Sequence, residues 1–147
     1  MAMTPADESA RLDLPVAQQA ALLVARIGLA SLFLFSGCQK LTHLQGAAQW
    51  AASQGVPFAS LLMPLAGLFE VAAAVMLITG WHARQAAAAL AAWIIVLGPL
   101  FHRFWEAPPQ LWQIEVDDLF HHFVMFGGML YVAVFGAGSW RLGHPQD

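Results

Sequence analysis

The chain has 147 residues, 59% of them hydrophobic and 10% charged, with a formal net charge of -3. A mean hydropathy of +0.62 excludes disorder and a normally solvated globular surface, which is about 25% charged. Six Lys plus Arg, with no basic stripe among them, exclude nucleic acid as a partner.

The length allows one domain. Residues 1–18 are polar, carry Pro5 and Pro15, and are predicted to form a flexible tail. Four apolar stretches follow, over residues 19–41, 58–81, 83–104 and 119–137. Each is long enough at ~1.5 Å rise per residue to cross a hydrocarbon layer of roughly 30 Å. Backbone amides in lipid have no water to bond, so these stretches are predicted to be helices. The fold class is therefore all-α, an integral membrane four-helix bundle over residues 19–138, with a short tail over 139–147.

The connections differ in character. Residues 43–57 (HLQGAAQWAASQGVP) suit a short interfacial helix around Trp50, broken at Gly55 and Pro57. Residues 82–84 form a tight turn. Residues 106–118 (EAPPQLWQIEVDD) read as an acidic loop with Trp112 at the headgroup level. Arg11, Arg84 and Arg141 flank one side, so the positive-inside rule places both termini in the cytoplasm. Cys38 is the single cysteine, which removes disulfide, dithiol-relay and cysteine-zinc chemistry. A lipoprotein reading of Phe35-Ser36-Gly37-Cys38 is disfavoured because the leader is long and acidic (Asp7, Glu8, Asp13).

Ionisable residues inside spans carry the functional information, because each requires a partner, a hydrated cavity or a place near the interface. Glu70 lies ~16 Å from one end of the second span and Arg26 ~10 Å from the same side of the first, depths that permit an ion pair. Such a pair would either lock two helices together or leave Glu70 to handle protons or orient a polar ligand. Lys40 falls on nearly the same helical face as Arg26 and Gly37, close enough to the far boundary to snorkel. His102 and Arg103 end the third span just after Gly98-Pro99, where the proline is predicted to bend the axis. His121 and His122 open the fourth span. Antiparallel connectivity returns these residues to one boundary, where imidazoles could meet a quinone carbonyl or shuttle protons. Adjacent histidines point about 100° apart, so one of His121 and His122 is predicted to face headgroups. No metal site is predicted, since no His-x-x-His or Glu-x-x-His spacing is present. Ala66, Gly67, Ala73, Ala74 and Gly127-Gly128 read as close-packing positions, and aromatics such as Phe69 and Trp93 could line a quinone slot or simply fill the core.

An ordered set of motifs resembles the DoxX family from about residue 22 to 141. It comprises Arg26-x-Gly28, Ser36-Gly37-x-x-Lys40-Leu41, Gly55-x-Pro57, Leu65-x-Gly67-Leu68-x-Glu70, Gly80-x-x-x-Arg84-x-Ala86, His102, Gly127-Gly128 and Gly136-x-Gly138. The combination is far more specific than any one piece. The resemblance implies a four-helix protein of the bacterial inner membrane, linked in several branches to redox work; related DoxD-type polypeptides belong to a thiosulfate:quinone oxidoreductase. The chain departs from the pattern at His121-His122, where a Lys-Asn-like pair is common, and at Gly138–Gly143, which lacks a terminal aspartate.

Two functional classes follow. In the first, the bundle is a membrane subunit of a quinone-linked redox system that passes electrons from a sulfur compound or thiol to quinone. Glu70 and His102 would then be catalytic, and Arg26, Lys40, Arg103, His121 and His122 would bind substrate or quinone. No flavin, haem or iron-sulfur motif is present in the sequence. In the second, the protein is a non-catalytic anchor or accessory for a soluble or peripheral enzyme in detoxification or peptide maturation, and its buried charges are packing locks. The bilayer is a partner in both, and homo-oligomerisation is compatible with either.

Overall fold

The structure, a computed structural model, describes residues 14–142. Most of the N-terminal tail (1–13) and the end of the C-terminal tail (143–147) lie outside the described residues. Five helices follow in order: α1 (Val16–Thr42), α2 (Leu44–Ser53), α3 (Ala59–Thr79), α4 (Ala83–Phe101) and α5 (Trp112–Phe135). All but α2 are long and apolar enough to cross a membrane. Large apolar side chains such as Val24, Phe35, Leu65, Val96 and Phe135 are exposed, as lipid-facing residues must be where the solvent is hydrocarbon.

The ends of the helices follow the local chemistry. Helix α2 is the short element expected around Trp50, and Gly55 ends it at a φ of +85°. Gly80 closes α3 in the left-handed region and donates its N–H to the Met76 carbonyl at 2.9 Å, a conformation glycine adopts without a Cβ penalty. The turn before α4 includes His82 at φ +48°. Helix α4 continues as α-helix through Pro99. Helix α5 begins at Trp112, well before the expected residue 119. Its acidic opening favours that early start: Glu115 lies in the positive first turn, and Gln113 donates to Asp117 one turn on, at 2.9 Å.

Helix α1 packs chiefly on α3 and α5 chiefly on α4, and the two pairs join through α3 and α4. The α1–α3 contact is backbone to backbone. A Cβ on Gly37 would lie 2.8 Å from the Gly67 carbonyl oxygen, and one on Gly67 would lie 3.0 Å from the Gly37 oxygen, so only glycine permits this approach. We call the end holding residue 16 and the C-terminal segment the terminal end, and the end holding α2 the loop end. The terminal half is packed at its centre and carries an open groove of about 740 Å³ between α1 and α5, lined by residues such as Leu22, Arg26, Leu29, Tyr131 and Phe135. Ala73, Ala74, Leu77, Ala87, Leu90 and Met129 are buried at the centre in one cluster, and residues 136–142 cross the terminal end, with Ser139 N–H on Gln19 Oε1 and Leu142 N–H on the Thr79 carbonyl. The loop half is open inside.

Candidate functional site

The opening is a cavity of about 750 Å³, lined almost wholly by apolar side chains from α1, α3 and α4, with Trp50 of α2 and Met125 of α5. That volume is in the range that holds a small-molecule ligand. Its polar lining consists of Ser36, Lys40, Glu70 and the Trp93 indole on one side, and His102 and His122 on the other.

Helix direction places Lys40 on Glu70. Each residue lies three positions beyond a glycine of the Gly37–Gly67 crossing, and the helices run in opposite senses, so the two Cα atoms are ~9 Å apart along the bundle axis. Side chains on a helix lean toward its N-terminus. Lys40 therefore leans toward the terminal end and Glu70 toward the loop end, and the two converge. Lys40 Nζ lies 2.8 Å from Glu70 Oε2 and 3.1 Å from Oε1. It also donates to Ser36 Oγ, one turn back on its own helix, which uses all three ammonium protons. Trp93 Nε1 donates to Glu70 Oε1 at 3.0 Å, and its ring is held edge-on by Phe69 with centroids 5.4 Å apart. Oε1 thus accepts two bonds and Oε2 one, which leaves Oε2 able to accept from a ligand. Glu70 is 1% exposed.

The opposite wall is built by the end of α4 and the start of α5. Gly98 lets α5 approach, since a Cβ there would meet Leu119 Cδ1 at 3.3 Å and His122 Cβ at 3.5 Å. The His102 and His122 rings lie 4.8 Å apart, centroid to centroid. His102 Nδ1 is 3.3 Å from Glu115 Oε2 and 3.8 Å from Asp118 Oδ2, and His122 Nδ1 is 2.9 Å from the Asp118 carbonyl oxygen. A carbonyl oxygen only accepts, so His122 carries its proton on Nδ1 and Nε2 is left for exchange.

The expected partner of Glu70, Arg26, is elsewhere. Arg26 sits at the terminal end, 2% exposed, with Nη1 donating to the Leu77 carbonyl at 3.3 Å and Nη2 to the Trp140 carbonyl at 2.6 Å. Depths counted from the helix ends allowed the pairing; the register of the Gly37–Gly67 crossing sets the two Cα atoms ~12 Å apart along the axis, and the side chains lean away from each other. Lys40 turns inward instead of snorkelling to the near boundary. Arg103 is outside the cavity lining. Its guanidinium donates to the Gln54 carbonyl at 2.7 Å, the Leu100 carbonyl at 3.2 Å and Glu106 Oε2 at 3.4 Å. With the Trp50–Phe101 ring stack, centroids 4.7 Å apart, it ties α2 across the loop end. His121 faces out, its side chain 74% exposed. The structure thus brings together Glu70, Lys40, His102 and His122, and leaves Arg26, Arg103 and His121 outside. Sequence reasoning did not give Trp93 its role on Glu70, nor Glu115 any role. A tryptophan midway along a span, away from the boundary where its N–H meets water, is itself a sign that a buried acceptor lies opposite. Among the described residues no group of three or more His, Cys, Asp or Glu could hold a metal ion.

Comparison with known proteins agrees with the motif pattern. The DoxX family matches residues 21–103, more than half of the chain, a stretch that contains Lys40, Glu70, Trp93 and His102. The chain is 25% identical over 127 residues to the inner membrane protein YphA of Escherichia coli K12, covering 86% of this chain and 91% of that protein. It is 29% identical over 122 residues to the inner membrane protein YqjF of the same organism, covering 82% and 88%. No solved structure matches. With four membrane-crossing helices and relatives of this kind along nearly its whole length, the chain belongs to the DoxX family and is a multi-pass protein of the bacterial inner membrane.

Proposed function

We propose that the loop-end cavity binds a membrane quinone and that the protein is the membrane subunit of a quinone-linked redox system. The observation that carries this reading is a buried carboxylate, Glu70, paired with the partly buried Lys40 in the wall of a 750 Å³ apolar cavity among the membrane-crossing helices. A simple packing lock between α1 and α3 would need no cavity beside it. A flat conjugated ring with two polar oxygens suits the walls, with Phe69, Trp93 and Phe101 beside the ring and polar groups at both sides.

In this reading Glu70 Oε2 accepts from a quinol hydroxyl, and Lys40 and Trp93 hold the carboxylate in place. His102 and His122 face the other oxygen and exchange its proton. Arg26, Arg103 and His121 take no part in binding the ring. The electron donor is a thiol or sulfur compound at the loop-end boundary, or a peripheral enzyme that carries such electrons. For a thiol the balance closes: two S–H bonds break, one S–S bond forms, and two electrons and two protons convert quinone to quinol. The test is a titration of the full chain in lipid nanodiscs with decylubiquinone, read by quenching of tryptophan fluorescence. We expect saturable binding that weakens at least tenfold in Glu70→Gln. Absence of saturable binding in the wild type would remove the proposal.

A further inference from the structure

Beyond Glu70 the centre of the bundle is packed with apolar side chains. Between Glu70 and the terminal end lies the cluster of Ala73, Ala74, Leu77, Ala87, Leu90 and Met129, and the next ionisable side chain in that direction among the described residues is Arg26, which is committed to two carbonyls. The ionisable side chains that join the cavity to water stand at the loop end. There, one pair joins cavity to water. His102 lines the cavity and Glu115, 29% exposed, meets its Nδ1. Asp118, 46% exposed, stands behind them, and His122 completes the wall. The other charged or titratable groups nearby are the exposed His121, 3.8 Å from Asp118 Oδ1, Asp117, which accepts from Gln113, Arg103 and Glu106, which bond to each other and away from the cavity, and the Lys40–Glu70 pair across it.

We propose that His102 and Glu115 form the proton port of the cavity: Glu115 fixes the Nδ1 proton of His102, so that Nε2 is the nitrogen that exchanges protons with the ligand. This rests on the quinone reading above and adds the route. Each turnover puts one proton on each ring oxygen: of the two shed by the thiol donor at the water boundary, one passes by Glu115 and Asp118 to His102 and the oxygen it faces, and the other enters through the open mouth of the cavity to the oxygen beside Glu70. His102 is the catalytic residue of this step and Glu115 is its positioning residue, the same division of labour as in any carboxylate-backed histidine.

The experiment compares the wild-type chain with Glu115→Gln, Glu115→Asp and the control Asp117→Asn in nanodiscs, measuring decylubiquinone affinity and, separately, dithiothreitol-driven quinone reduction. For Glu115→Gln we expect affinity within twofold of wild type, turnover lower by about tenfold or more, and recovery on adding formate or imidazole as small proton carriers. Glu115→Asp should recover most of the rate, and Asp117→Asn should match wild type. Unchanged turnover in Glu115→Gln, a loss that proton carriers do not recover, or a parallel loss of affinity would each overturn the port. A wild type that binds quinone without thiol-driven reduction overturns the port and leaves the binding site standing; a wild type that binds no quinone overturns both.

Discussion

At the terminal end Arg26 is held by two main-chain carbonyls, those of Leu77 and Trp140, whereas halfway along α3 Glu70 is held by two side chains, Lys40 and Trp93. The difference follows from where each charge sits on the helical ladder. The last four carbonyls of a helix have no partner within it, and Leu77 is among them in α3, so a guanidinium placed there finds acceptors ready-made at the negative end of the helix dipole. A carboxylate in mid-helix finds no free backbone N–H, because every one is already bonded up the ladder. It must recruit donors from neighbouring helices. A cation at a helix end can therefore serve packing alone, while an anion at mid-depth gathers polar side chains from two neighbouring helices around itself and, in this protein, beside a cavity.

The contrast can be broken most directly at Lys40. Lys40→Met leaves the Glu70 carboxylate with Trp93 as its one remaining donor among the described residues and should cost about 3–5 kcal/mol in stability, measured by denaturation in detergent. Adding Glu70→Gln to it should recover most of that loss; a double variant no more stable than the single would show that the pair does not act as a unit. Next in size, Arg26→Gln removes both bonds to carbonyls and should cost about 1.5–3 kcal/mol. It should also speed proteolytic cleavage after Gly136 while leaving quinone affinity unchanged, and a change in affinity would mean that the two ends are coupled. The smallest effect belongs to His121→Ala, at under about 0.5 kcal/mol, with quinone binding as in the wild type. A measurable loss of binding would place His121 in the site.

The four spans were legible in the sequence because length and apolarity alone define them, and so was the short helix around Trp50, bounded by its own glycine and proline. The start of α5 was not, since the acidic run from Glu115 to Asp118 has the composition of a loop and becomes helical through dipole and one-turn contacts. For the site, Glu70 stood out by depth alone. Its partner did not, because Arg26 and Lys40 share a face of α1 and the choice between them depends on where the Gly37–Gly67 crossing sets the register. Trp93 and Glu115 were hidden for the same reason: each matters through a side chain on another helix, and relative placement of helices is a property of packing that no single segment encodes.

The position of Glu70 about midway along α3 also bears on energetics. Paired with Lys40, it adds no net charge to the bilayer interior, so a resting membrane voltage exerts little net force on the site. A proton carried alone from the loop-end surface to that depth crosses roughly half of the membrane voltage, about 1 kcal/mol for each 100 mV. In the proposed quinone reading, delivery of a proton to a ligand beside this carboxylate is thereby tied to how strongly the cell has energised its membrane.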